Sequence, residues 1–124
     1  MRVIVVDDSP VVRLRLVALL REAKVTVVAE AGDGVEAVRL VRLHVPEALI
    51  LDLNMPGMTG LEVLAVVKAQ PSPPLVIVLT NHPQERYRAA CMAGGADFFF
   101  DKSRDFDRVV ATVTALLGGA TPRS

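Results

Sequence analysis

The sequence predicts an α/β domain: one doubly wound, five-stranded parallel sheet with helices on both faces. Three observations carry this. Five short apolar runs recur along the chain, too short for helices and too continuously apolar for half-exposed strands. Segments of helical spacing alternate with them, so the order is β-α repeated five times. The chain has 124 residues, enough for one domain with a real core and too few for an eight-unit barrel.

The runs are Val3–Val6, Val25–Ala29, Ala48–Leu53, Leu75–Leu79 and Phe98–Phe100. The first helix opens on Ser9 and Pro10, an N-cap followed by proline at the first helical position. Val12, Leu16, Leu19 and Leu20 then share a face. The second opens at Asp33 and the third at Thr59, each followed three residues later by a glutamate, Glu36 and Glu62, in capping-box spacing. The fourth is expected to start near Pro83 and stop at Gly94-Gly95. The fifth is expected to begin near Arg104, capped by Ser103, and to stop at Gly118; Phe106, Val109, Val110, Val113, Leu116 and Leu117 line it. No internal repeat and no linker is evident.

Composition excludes several classes of protein. Fourteen basic and fourteen acidic residues give a formal net charge of zero, which argues against a dedicated nucleic-acid binder. An apolar fraction of 52% excludes intrinsic disorder. No apolar run of about 18 residues is present, so no membrane span is expected, and MRVIVVDD is not a signal peptide. Cys91 is the single cysteine, so no internal disulfide forms and a reducing, cytoplasmic setting is expected.

In a doubly wound sheet, ligands sit at the carboxyl ends of the strands. Asp7 and Asp8 follow the first strand, the third runs through Asp52 with Asn54 two further on, the fourth ends at Thr80 before Asn81 and His82, and the fifth leads to Asp101 and Lys102. The second ends at Glu30, at the sheet's edge. Each acid alone reads as a solvated helix or strand terminus. Three converging carboxylates, however, repel one another unless a cation or shared protons intervene. An all-oxygen set suits Mg²⁺, whereas the scattered histidines and lone cysteine do not suit Zn²⁺. Carboxylate, lysine, hydroxyl and Mg²⁺ together form a phosphoryl-transfer kit with aspartate as nucleophile.

The constellation VVDDS, LILDLNMPGMTGLEVL, VIVLTN and GADFFFDKS, in that order, resembles the receiver domain of two-component response regulators, the CheY-like family, over residues 2–117. The resemblance implies a flavodoxin-like (βα)5 fold with strand order 2-1-3-4-5. It implies a receiver domain at 1–118 and a flexible tail at 119–124. Asp52 matches the phospho-acceptor, Asp8 the direct Mg²⁺ carboxylate, Asp7 its water-mediated companion and Asn54 the residue whose backbone carbonyl completes the metal shell. Thr80 matches the switch hydroxyl, Lys102 the phosphate-binding lysine and Phe99 the switch aromatic. The implied partners are a histidine kinase or histidine phosphotransfer protein and a downstream protein at the surface of the fourth helix, fifth strand and fifth helix, which Arg86, Tyr87 and Arg88 border. The domain would catalyse only its own phosphorylation and dephosphorylation.

The sequence departs from the family pattern at two places. Lys102 is followed by Ser103 rather than proline, so a trans peptide is expected. Asn81 stands where a small residue is common; with Asn54 and His82 it is expected to tune phosphoryl lifetime. Phe99 lacks a hydroxyl, so its switch is expected to be less tightly coupled or already partly inward. Bland readings are preferred for His44 (a favourable charge at a helix C-terminus) and Cys91 (half-buried and inert). Phe98 and Phe100 are expected to face the core opposite Phe99. A haloacid-dehalogenase-type phosphohydrolase is disfavoured, because its second motif acid is replaced by Asn54 and no cap domain is present. A flavodoxin-like electron carrier is disfavoured by acids after the first strand and the absence of tryptophan. Met1 and the short tail favour a standalone protein; the alternative is a receiver from a longer regulator with a DNA-binding or enzymatic output domain.

Overall fold

The structure is a computed structural model that describes residues 1–81 and 84–117. In chain order the elements are β1 (Arg2–Val6), α1 (Pro10–Glu22), β2 (Thr26–Ala31), α2 (Gly34–His44), β3 (Ala48–Leu51), α3 (Gly60–Lys68), β4 (Leu75–Thr80), α4 (Glu85–Ala93), β5 (Phe98–Asp101) and α5 (Phe106–Leu117). All strand pairs are parallel, in the order β2-β1-β3-β4-β5. The expected doubly wound sheet is therefore present.

Strand alternation splits the core into two layers. Ile4, Val6, Leu49, Leu51, Val76, Val78 and Phe99 point to one face, against apolar residues of α2, α3 and α4 such as Val41, Leu64 and Cys91. Val3, Val5, Ala48, Ile50, Ile77, Leu79 and Phe100 point to the other, against Leu16 and Leu20 of α1 and Val109 and Val113 of α5. Phe98 joins this second layer and stacks on Phe100, so the expected division of the three phenylalanines holds.

The helix starts follow the local chemistry. Ser9 caps α1 by accepting from the Val12 amide, with Pro10 at the first position. Thr59 and Glu62 form a reciprocal capping box on α3. Asp33 caps α2 through the Glu36 amide, but Glu36 turns its carboxylate to Arg39.

Several expected boundaries move. β2 continues through Glu30 to Ala31, because Val5 and Val6 of β1 pair with them after the apolar run has ended. β3 stops at Leu51, so Asp52 lies just beyond it, although its amide still donates to the Val6 carbonyl at 3.0 Å. α4 begins at Glu85 after Gln84, with no side-chain cap. α5 begins at Phe106, two residues after Arg104. Ser103 does not cap it, because its amide and hydroxyl both donate to Asp101 Oδ1 in the preceding turn. Cys91 is fully buried rather than half-buried, and burial raises its thiol pKa. No cis peptide occurs among the described residues, as expected for Lys102-Ser103. The expected stop at Gly118, the tail at 119–124 and the expected start at Pro83 lie outside the described residues.

Candidate functional site

β1 and β3 are neighbours in the sheet, with β2 on the far side of β1, so the strand order reverses between them. A crevice at such a reversal is where open α/β sheets place ligands. The chain leaves β1 into Asp7 and Asp8 and leaves β3 into Asp52. One carboxylate oxygen from each of these aspartates lies within 4.8 Å of the others. Asp7 and Asp52 are buried and Asp8 is exposed.

The loop after β3 is shaped for this purpose. Gly57 has a φ of 72°, a left-handed turn conformation that glycine adopts without strain. A Cβ on Gly60 would lie 2.4 Å from the Asp52 carbonyl oxygen, so only glycine lets the first turn of α3 pack on the backbone of Asp52. The motif glycines thus bring α3 against the acid-bearing strand end.

Lys102 reaches this cluster from the turn after β5. Its Nζ lies 2.5 Å from Asp7 Oδ2 and 3.4 Å from Asp52 Oδ2, with its side chain only 8% exposed. Its amide donates to the Thr80 carbonyl, tying β5 to the end of β4. Asp7 Oδ1 accepts from the Ser9 amide, and Asp52 Oδ1 from the Asn54 amide at 3.4 Å. Thr80 is fully buried at the carboxyl end of β4. Asn81 is exposed and lines a cleft with Arg15, Lys102 and Phe106. The structure therefore brings together Asp7, Asp8, Asp52, Thr80 and Lys102 at one edge of the sheet, with Asn54 and Asn81 on the adjoining loops. His82 lies outside the described residues.

Electrostatically the cluster holds three carboxylates and one ammonium. Burial pushes the Asp52 carboxyl up from 3.8 to about 6; the Lys102 charge and the Asn54 amide pull it down, and Asp7 pushes it further up. The donor set fits a hard divalent cation: every donor is an oxygen, the oxygens lie close together, and excess negative charge is left after Lys102 is counted. A bound cation would offset the repulsion that Asp7 adds to the effect of burial on Asp52.

Phe99 is 7% exposed and packs in the α2–α4 layer. The Arg88 guanidinium lies 5.5 Å from its ring centroid, and Tyr87 packs against the same layer, so this stretch of α4 is more than a solvated face. Sequence reasoning missed Arg13. Its Nη1 donates to the Asp7 carbonyl, and its Nε lies 3.6 Å from Glu30. Only its place one turn into α1 marks it in the sequence.

A buried aspartate thus lies beside two further acids and a lysine at the switch point of a doubly wound sheet, an arrangement with the charge and donors for phosphoryl chemistry. Residues 3–114 match the response regulator receiver domain family, and the chain belongs to it. It is 29% identical to the virulence transcription regulator BvgA of Bordetella pertussis over 120 residues, 97% of this chain and 57% of that protein. It is 35% identical to the transcriptional regulatory protein NarL of Mycobacterium tuberculosis over 113 residues, 90% of this chain and 52% of that protein. The chain thus spans just over half the length of these curated relatives. The solved NarL receiver domain from M. tuberculosis superposes with a TM-score of 0.87 at 34% identity, covering 95% of this chain and 96% of that one. The CheX–CheY complex with BeF3 and Mg²⁺ from Borrelia burgdorferi gives a TM-score of 0.87 at 26% identity, covering 94% of this chain and 89% of the other. Among the described residues no helix is long and apolar enough to cross a membrane.

Proposed function

We propose that Asp52 accepts a phosphoryl group from a histidine kinase or histidine phosphotransfer protein, and that this modification alters which protein the receiver binds. The observation that carries this is the convergence of Asp7, Asp8 and Asp52 with Lys102 bridging two of them. In the step itself, an Asp52 carboxylate oxygen attacks phosphorus. A P–O bond forms, the P–N bond to the donor imidazole breaks, and the imidazole nitrogen keeps the electron pair. Asp7, Asp8 and Asp52, with the Asn54 backbone carbonyl, would hold Mg²⁺. When bound, it supplies charge neutralisation for the carboxylates and the transferring oxygens. Lys102 pairs with the phosphoryl oxygens once Asp52 is modified, and Thr80 donates its hydroxyl to one of them. The domain acts only on its own aspartate.

Phe99 is the proposed switch aromatic, read at the surface of α4, β5 and α5. Its burial supports a switch that starts from an inward ring. Asn54 and Asn81 tune phosphoryl lifetime by their place beside the acceptor, and the same role is proposed for His82. The receiver unit is proposed to span 1–118, with 119–124 as a tail, and to work in the cytoplasm. The greater length of BvgA and NarL favours a second reading, in which this receiver belongs to a longer regulator with a DNA-binding or enzymatic output domain.

The test is incubation with Mg²⁺ and acetyl phosphate followed by mass spectrometry. One added phosphoryl group is expected, absent in Asp52→Ala and with chelator. If the wild type stays unmodified and beryllofluoride with Mg²⁺ leaves its amide spectrum unchanged, the reading fails.

A further inference from the structure

Asp7 is held at every polar atom. Its amide donates to the Ala31 carbonyl, Oδ1 accepts from the Ser9 amide, and Oδ2 pairs with Lys102. Its carbonyl accepts from Arg13 Nη1. That last bond acts beyond Asp7. A peptide unit is planar, so fixing the Asp7 carbonyl fixes the Asp7–Asp8 peptide and the direction in which Asp8 leaves it. Asp8 is exposed, and its amide and carboxylate are not part of the clamp around Asp7. The peptide that Arg13 holds therefore sets where the Asp8 Cα stands, the point from which its carboxylate reaches the cluster.

Two neighbours support the guanidinium. Glu30 of β2 lies 3.6 Å from Arg13 Nε, anchoring the arginine to the edge strand through a second nitrogen. Gly32 leaves it room: a Cβ there would sit 3.1 Å from Arg13 Nη1 and 3.9 Å from the Asp7 carbonyl oxygen. The Arg13 side chain is 21% exposed, so its bond to Asp7 is partly shielded from water. A fork with two separated donors suits this double anchorage, and a lysine ammonium does not.

We propose that Arg13, buttressed by Glu30 and admitted by Gly32, is a positioning residue for the cation site that fixes the Asp7–Asp8 peptide and so places the Asp8 backbone from which its carboxylate reaches the site. This rests on the reading of Asp7, Asp8 and Asp52 as that site. It also makes a prediction opposite in sign to simple charge counting. A guanidinium near three carboxylates repels an incoming cation, so if Arg13 acted by charge alone, its removal would tighten Mg²⁺ binding. As a positioning residue, its removal weakens binding.

The experiment is calorimetric titration of the full chain with MgCl₂, with amide NMR spectra of each variant as a check on the fold. Arg13→Ala is expected to raise the Mg²⁺ Kd by about tenfold, the usual scale for losing an orienting partner of a ligand. Arg13→Lys recovers only part of that loss. Gly32→Ala keeps every charge and displaces the guanidinium by a few tenths of an ångström, so it weakens binding in the same direction by a smaller factor and stands in if Arg13→Ala does not fold. Equal or tighter binding in Arg13→Ala, or unchanged binding in Gly32→Ala, overturns the proposal. Asp8→Asn separates the two levels. If the wild type binds Mg²⁺, Asp8→Asn does not, and the Arg13 and Gly32 variants bind like wild type, only the positioning role falls. If the wild type itself does not bind, the cation-site reading falls with it.

Discussion

Two lysine–aspartate clusters occupy opposite edges of the same sheet. At the amino edge, Lys68 donates to Asp97 Oδ2 at 2.8 Å and to the Pro74 carbonyl, and the same Asp97 oxygen accepts from the Val76 amide. One cation meets one anion, and backbone groups complete both. At the carboxyl edge, Lys102 faces Asp7 and Asp52, with Asp8 beside them. That set is also more deeply buried: the Lys102 side chain is 8% exposed against 17% for Lys68. The first cluster is a closed structural contact. The second carries uncompensated negative charge in a buried place, which folding alone does not favour. An imbalance of that kind suits the binding of a hard cation.

Removing each lysine sharpens the contrast most. Lys102→Ala is expected to slow labelling by acetyl phosphate or to abolish its effect on the amide spectrum, by about tenfold or more on the scale of a lost electrostatic contact. Lys68→Ala is expected to leave the labelling rate unchanged; a comparable loss in both would erase the distinction.

Neutralising the excess charge comes next. Asp52 titrates at about 6 in the folded chain against an ordinary 3.8, so between those values the folded state holds the extra proton. Its contribution to stability is complete at low pH and is lost as pH rises through about 6. Asp52→Asn keeps the volume and removes the charge. Without Mg²⁺ it should therefore be more stable than wild type at neutral pH by about 1–3 kcal/mol. Urea unfolding measures this, and the advantage should shrink near pH 4. An advantage independent of pH would contradict the assignment.

The closed cluster should behave in the opposite way. Lys68→Ala leaves Asp97 without its cation and should cost about 1–2 kcal/mol in urea unfolding, because no strained charge is relieved. Smallest of all, Asp33→Ala removes the α2 cap, away from both clusters, and should cost about 1 kcal/mol with labelling intact.

The sheet was legible because strands buried on both faces write themselves as apolar runs. Their ends were not, because pairing rather than hydropathy decides where a ladder stops. Glu30 and Ala31 belong to β2 because β1 is there to pair with them, and Leu53 falls outside β3 despite being apolar. The caps at Ser9, Asp33 and Thr59 are local chemistry and were readable. Ser103 was misjudged because Asp101, two residues back, competes for its amide and hydroxyl. In the site, Asp7, Asp8, Asp52, Thr80 and Lys102 could be gathered from strand-end positions alone. Arg13 could not, since its bond is to a backbone carbonyl and its second anchor is on another strand.

The two-layer core has one more consequence. α4 packs in the layer that contains Phe99, while α5 packs in the layer that contains Phe100. β5 is the edge strand on the side away from β2, and its successive side chains alternate between those layers. A displacement confined to one layer would therefore shift α4 relative to α5 at that edge, as one scale slides past another in a vernier. A partner that touched both helices would sense their offset, so a small change in a single core layer would become a difference in fit across the whole contact.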